Sequence, residues 1–354
     1  MSGERAVSPL SCDEATDLFR AFEAGIDAAV DCLGEVPLLA IEVTSRDVSR
    51  LPSPPVHFPG VVVAVARDNE TLTTAPACDL ALMVSGSPPP SPWVGVDSSL
   101  SAFDTLADNI AASPVAAVTL VQLLRCNSRL SVEAGLVLES LAYSTLQSGA
   151  EFATWVDRRR AERGASERTE TVRQVLVERI DDVVRVTLNR PEVHNAYNTA
   201  MRDALTEVLA AVSLDPSARI VLDGNGPSFC SGGDLGEFAT SPNPAVAHLV
   251  RTRRSPARLL ARMPSRVTAV VHGYCAGSGI ELAAFASVVL AREEVTIWLP
   301  ELAMGLIPGA GGTVSLPRRI GAGRTAWLAL SGARLDTATA ISWGLLDGWA
   351  QGAL

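Results

Sequence analysis

The stretch Val267-Thr268-Ala269-Val270-Val271-His272-Gly273-Tyr274-Cys275-Ala276-Gly277-Ser278-Gly279-Ile280-Glu281-Leu282 decides the reading of the fold. Residues 267–271 are apolar on both faces, which reads as a buried strand. A turn of small residues follows, and a helix is predicted over 279–286. Small residues let a ligand approach the backbone, and N–H groups at a helix start are ready donors. Two more junctions of this kind flank it: Ser228-Phe229-Cys230-Ser231-Gly232-Gly233-Asp234-Leu235, and Pro300-Glu301 running on through Gly309-Ala310-Gly311-Gly312-Thr313. Working outward, strands are predicted at 183–189, 219–222 and 295–299, with a helix over 199–213 and two more beyond Gly312. Strand and helix alternate, with glycines just past strand ends. That is the pattern of an α/β fold with sites at the strand C-termini.

The first half has a different texture. A helix is predicted over 11–34, with Leu18, Phe22 and Ile26 on its apolar face. Short strands follow at 37–44 and 60–66, then a turn-rich loop at 85–92. From 99 to 160 the pattern is helical. Ser113 and Pro114 mark one helix start, and another lies near Ser131, with Leu136, Leu138, Leu141 and Leu146 as its core side. The charged stretch 157–172 is the predicted boundary between residues 1–165 and 166–354.

Composition narrows the function. The 354 residues are 47% apolar and carry a net charge of −10, which argues against nucleic acid as a partner. All 29 basic residues are arginine. Schiff-base, P-loop and Ser-Lys chemistry are therefore excluded. The six cysteines and four histidines form no metal-ligand or disulfide pattern, so no metal and a reducing, cytoplasmic setting are expected. No uncharged apolar run is long enough to span a membrane, and the N-terminus has no secretory pattern.

Two carboxylates stand out. Glu281 lies on the first turn of an otherwise apolar helix, and Glu301 follows Pro300 at the end of an apolar strand. A carboxylate in such surroundings is costly unless paired or used. Two of them beside Gly-rich donor turns point to acid–base work next to an oxyanion hole.

These motifs resemble the crotonase superfamily of enoyl-CoA hydratases and isomerases. The resemblance runs from about Val175 to Trp349 through LNRPEVHNAYN (188–198), FCSGGDL (229–235), HGYCAGSGIELA (272–283), LPELAMGLIPGAGG (299–312) and the segment 316–347. It implies a crotonase-like ββα-spiral core with an additional helical N-terminal region. It implies backbone oxyanion donors at Gly233 and Ser278, a water-handling Glu281, and a Glu301 that moves the proton at the substrate α-carbon. Coenzyme A, as part of the substrate and with no separate cofactor, would lie against Asn195, Ala196, Ser231, Gly233, Asp234, Leu235 and Gly236. An acyl-CoA substrate and a homo-oligomer, a trimer or dimer of trimers, complete the expectation. The leading function is hydration of a 2-enoyl-CoA. Isomerisation, thioester hydrolysis, cofactor-free oxygenation of an arylacetyl-CoA, or non-catalytic acyl-CoA binding remain as alternatives.

Some positions depart from that family. His272 stands where Asn is familiar, Ser278 where Gly is usual, and Gly236 where many hydratases carry a basic residue. The phosphates of CoA would then meet arginines elsewhere. Family members usually continue past the equivalent of Leu354 with helices that cover the site. Residues 103–160 loosely resemble those helices and are expected to pack on the core. Residues 59–82 weakly echo the strand, turn and helix of 267–284, with Asp79 in the place of Glu281.

Overall fold

The computed structural model describes residues 9–26, 36–66, 72, 74, 76–85, 89–162, 173–240 and 243–351. The far end of the first predicted helix and most of the charged boundary segment lie outside these residues.

The second half is built on a six-stranded sheet. Its strands are β5 (Val175–Ile180), β6 (Val183–Leu188), β7 (Arg219–Gly224), β8 (Val267–Ala276), β9 (Val288–Trp298) and β10 (Gly348–Trp349). They lie side by side in chain order, antiparallel for the β5–β6 hairpin and parallel thereafter. Helix α6 (Thr199–Ser213), started by the Asn198 side chain accepting from the Met201 N–H at 2.8 Å, crosses from β6 to β7. Helices α7 (Pro244–Arg253) and α8 (Pro256–Arg262) follow β7, and α9 (Ser278–Ala283) links β8 to β9. Helices α10 (Gly312–Ile320), α11 (Ala322–Ser331) and α12 (Thr337–Trp343) close the chain before β10.

Strand β8 runs five residues beyond the predicted one. A register shift between Val271 and Gly273 divides it. Past that shift the strand pairs on its other side with the 229–231 loop: Phe229 N–H donates to His272 O, Cys230 N–H to Tyr274 O, and Ala276 N–H to Cys230 O. This pairing brings the glycines of the first two junctions together. A Cβ placed on Gly277 would stand 3.5 Å from the Gly232 Cα. Both residues have positive φ, 98° at Gly232 and 44° at Gly277, where side-chain-bearing residues are strained.

The first half forms a separate four-stranded parallel sheet of β1 (Leu38–Val43), β2 (Val61–Ala66), β3 (Leu80–Val84) and β4 (Val94–Val96), in that order. Helix α1 (Cys12–Glu23) covers one face, in a small cluster with Phe19, Ile41, Phe58 and Trp93. Its buried face is Cys12, Ala15 and Phe19; Leu18 and Phe22 pack partly, and Ile26 is exposed. The other face of the sheet joins the main core. Leu38, Val63 and Leu80 share one apolar cluster with Ile280, Leu316 and Leu328.

Four helices fill 99–162: α2 (Ser99–Ala112), α3 (Pro114–Asn127), α4 (Val132–Gln147) and α5 (Ala150–Glu162). They pack on the second half as expected, α2 and α3 against α11, α3 and α4 against α10, and α4 against α7 and α8. The buried face of α4 differs from the predicted one. It consists of Gly135, Glu139, Ser140, Ser144 and Leu146, whereas Leu141 is exposed. The echo of 267–284 at 59–82 holds for the strand, which is β2, and not for the helix. Where it called for a helix, Asp79 leads straight into β3 and binds Arg125 of α3 at 2.5 Å, with a second bond from the Val62 N–H.

Candidate active site

A cavity of about 770 Å³ opens where the three Gly-rich junctions meet α4 and α7. Of the residues picked from sequence, Gly233, Asp234, Ser278, Glu281 and Glu301 line it. Asn195, Ala196, Ser231, Leu235 and Gly236 do not; they build the loops behind it. The Asn195 side chain accepts from the Arg190 N–H and donates to the carbonyls of Asn225 and Ser228, so it is spent on the fold. Asp234 pairs with buried Arg190 at 3.0 Å and accepts from the Gly236 N–H. Ser231 N–H donates to His194 O. His272 is structural, with Nε2 3.0 Å from Gly226 O.

Among the described residues, no acceptor within the chain meets the N–H of Gly233 or of Ser278. Gly233 lies between two bonds that its neighbours make to Tyr197, and Ser278 is the first residue of α9. Free N–H groups at a helix start are a normal consequence of helix geometry. Here both residues line the cavity. A Cβ at Gly233 would come within 2.9 Å of the Phe238 ring, so a side chain there requires that ring to move.

The two predicted carboxylates are buried at the same wall. Glu281 Oε2 accepts from the N–H groups of Ala310 at 2.7 Å and Gly312 at 2.9 Å. The glycine at 312 is needed for that approach, because a Cβ there would meet Glu281 Cγ at 2.5 Å. Burial raises the Glu281 carboxyl well above its ordinary range. Glu301 and Glu139 push the same way, and the two N–H groups pull back. Glu301 sits on a 3₁₀ turn, Glu301–Met304, with Oε1 against Gly277 and no partner at Oε2 among the described residues. Burial, aided by Glu139, lifts its carboxyl to about 8.

Sequence reasoning missed a third carboxylate, Glu139 of α4, which is 2% exposed. Its Oε1 accepts from the Gly311 N–H at 2.7 Å, and its Oε2 from the Thr313 N–H at 2.9 Å and Oγ1 at 2.6 Å. Burial pushes its carboxyl up to about 7 against those bonds. Tyr143 and Arg251 were also missed. The Tyr143 ring packs on Gly309, where a Cβ would come within 2.4 Å, and the Arg251 guanidinium lies 4.9 Å from the ring centroid. Arg251 donates to Ser140, Ser144 and Gln147 and so ties α7 to α4. Glu139 was legible by the argument that selected Glu281, a carboxylate in an apolar helical run. Gly135, Glu139 and Tyr143, each four residues apart, share one helix face.

The cavity is lined by arginines as well as acids. Arg202, Arg251, Arg253, Arg254, Arg258 and Arg262 all line it, and several are held in ion pairs at its rim, Arg254 with Glu207 and Arg262 with Glu133. Among the described residues no group of His, Cys, Asp and Glu could hold a metal ion, and no single helix is long and apolar enough to cross a membrane.

Comparison with known proteins places this geometry. The family profile described as Enoyl-CoA hydratase/isomerase matches residues 178–350. A 1,2-epoxyphenylacetyl-CoA isomerase of Escherichia coli is 37% identical over 169 residues, covering 46% of this chain and 64% of that protein. A 2,3-dehydroadipyl-CoA hydratase of the same organism is 36% identical over 175 residues, covering 49% and 68%. The chain thus spans about two thirds of the length of these relatives. Among solved structures, an enoyl-CoA hydratase from Thermoplasma volcanium is 33% identical and overlaps 51% of this chain and 72% of its own, with a TM-score of 0.47. The matched residues hold all three Gly-rich junctions, Glu281 and Glu301, and the chain belongs to the enoyl-CoA hydratase/isomerase (crotonase) family.

Proposed function

We propose that the protein hydrates a 2-enoyl-CoA thioester. The observation that carries this reading is the convergence on one cavity of two buried glutamates, Glu281 and Glu301, and two unengaged N–H groups, those of Gly233 and Ser278. The thioester carbonyl oxygen lies between the two N–H groups. They stabilise the enolate that forms as water adds, an effect worth roughly 10²–10³ per donor in other enzymes. The reacting state is the one in which Glu301 carries a proton and Glu281 does not: a neutral Glu301 no longer opposes the charge on Glu281, and the N–H groups of Ala310 and Gly312 favour it. Glu281 then takes a proton from water through Oε1, and the water oxygen bonds to the β-carbon. Glu301 gives its proton to the α-carbon as the double bond becomes single, and exchange with solvent moves the proton gained by Glu281 back to Glu301 before the next turnover. The sum is one water added, with no change of oxidation state overall and no further cofactor.

The arginines that line the cavity suit the phosphates of coenzyme A, in a chain without lysine. A homo-oligomer in the cytoplasm is part of the same proposal and rests on the family alone. Isomerisation is the second reading, favoured by the unpartnered Oε2 of Glu301, a single group able to carry a proton from one carbon to another. A panel of 2-enoyl- and 3-enoyl-CoA thioesters, followed by the ultraviolet band of the conjugated thioester, separates the two. Loss of the band with 2-enoyl substrates supports hydration. Its appearance with 3-enoyl substrates, and no loss with any 2-enoyl one, replaces hydration by isomerisation.

A further inference from the structure

Several side chains of α4 line the cavity, and one of them, Glu139, binds the N–H groups of the loop that holds Glu281. The four consecutive N–H groups of Ala310, Gly311, Gly312 and Thr313 are divided alternately between two carboxylates. Ala310 and Gly312 donate to Glu281, Gly311 and Thr313 to Glu139. The two acids therefore grip opposite sides of one loop at the start of α10, where the helix dipole favours negative charge. The grip is reinforced from α3, since Asn127 Nδ2 donates to Thr313 O at 2.9 Å. A Cβ on Gly135 would meet Val314 at 3.0 Å, so α4 lies directly on this loop.

From this geometry we propose that Glu139 is a positioning residue for Glu281: by holding Gly311 and Thr313 it aims the N–H groups of Ala310 and Gly312 at Glu281 Oε2 and sets the charge that Glu281 meets. The role attached to Glu281 rests on the reading above; the coupling between the two acids does not. The consequence is that residues 99–162 act as a part of the site and not as a cover alone. The charged and titratable groups around the pair are Glu301 on its 3₁₀ turn, Tyr143 on α4, Arg251 on α7, Tyr197 and Cys230 on the loops, and Arg202 on α6. Arg251 offsets the charge of Glu139, and Glu139 opposes ionisation of Glu281.

The test is read on the carboxyls, so it does not depend on turnover. Full-length protein labelled with ¹³C at the glutamate carboxyls is titrated by NMR, with Glu281 assigned by its loss in Glu281→Gln. In Glu139→Gln a like charge is removed and the Glu281 midpoint moves to lower pH. In the same variant kcat falls about 10–100-fold while KM changes less than about threefold, as misaiming a reacting group predicts. Glu139→Asp, which keeps the charge, restores part of the rate. Asn127→Ala, which removes the bond from α3 to the same loop, lowers Tm without moving the midpoint. An unmoved Glu281 midpoint in Glu139→Gln overturns the proposal, and so does an equal movement in Asn127→Ala. Should Glu139→Gln not fold, the wild-type amides decide: those of Gly311 and Thr313 follow the titration of Glu139 and those of Ala310 and Gly312 that of Glu281, and amides that follow neither overturn it. A wild type inert toward every enoyl thioester would remove the functional reading and leave this measurement standing.

Discussion

Replacing Glu281 by glutamine and by alanine separates its chemical part from its structural one. Its Oε2 accepts two buried N–H groups, from Ala310 and Gly312. Glutamine keeps a carbonyl oxygen for both and turns its amide nitrogen to the cavity. Both substitutions remove the same charge from beside Glu301 and Glu139, so electrostatic relief cancels in their comparison. What remains is two orphaned N–H groups, roughly 1–3 kcal/mol each, and one lost methylene at about 0.8 kcal/mol. Glu281→Ala should therefore unfold about 3–7 kcal/mol more easily than Glu281→Gln in equilibrium urea denaturation. Hydration, followed at the enoyl band, should fall about 10²–10⁴-fold in both, because an amide cannot take a proton from water. A glutamine variant as unstable as the alanine one refutes the anchoring by the loop. A glutamine variant of near wild-type rate refutes the role of Glu281.

Four further outcomes follow from the same structure. Glu301→Gln should lower hydration by about 10²–10⁴-fold and leave the calorimetric Kd for a saturated acyl-CoA nearly unchanged, since Oε2 has no partner in the fold to lose. The raised carboxyl of Glu301 also fixes a sign: the folded state holds this proton more tightly than the unfolded chain, so its contribution is fully present below the ordinary carboxylate range and is lost as pH rises toward about 8. Urea midpoints should fall over that window by less in Glu301→Gln than in wild type, and kcat/KM should decline above about pH 8. Arg125→Ala should destabilise the protein by about 3–5 kcal/mol, because it strands buried Asp79 and the carbonyls of Phe58 and Gly60; a denaturation curve matching wild type would contradict that. A fragment of residues 165–354 should aggregate or lack activity, and coexpressed 1–164 should rescue it. Its core residues Leu316 and Leu328 would lose Leu120, Leu123 and Leu124 as neighbours in the cluster, each worth about 1.5–3 kcal/mol when buried.

The second half was legible because its chemistry is local. Each Gly-rich junction is a contiguous string, and Glu281 and Glu301 sit inside two of them, so the residues that line the cavity could be named without knowing the packing. The binding set was drawn too widely for the same reason: Asn195 and Ser231 share the motifs, yet their polar groups are consumed in joining loops, which a string of letters does not display. Glu139 was missed because it meets Gly311 and Thr313 across some 170 residues of chain. Its helix was read for leucines, and Leu141 was placed inside, whereas α4 buries the polar face that meets the loop. Strands β3 and β4 escaped notice because both are short and fully apolar next to a proline-rich turn, so neither shows alternation. Helix α7, which lines the cavity, was not predicted.

The central claim is that Glu281 and Glu301 together add water across a 2-enoyl thioester in this cavity. The direct measurement is mass spectrometry of a 2-enoyl-CoA incubated with the protein in D₂O, beside the Glu281→Gln/Glu301→Gln double variant. The account predicts a product that has gained one water, with one non-exchanging deuterium at the α-carbon and a hydroxyl at the β-carbon, formed by the wild type and not by the double variant. An unchanged thioester, a shifted double bond without added water, or an equal yield from the double variant would contradict it.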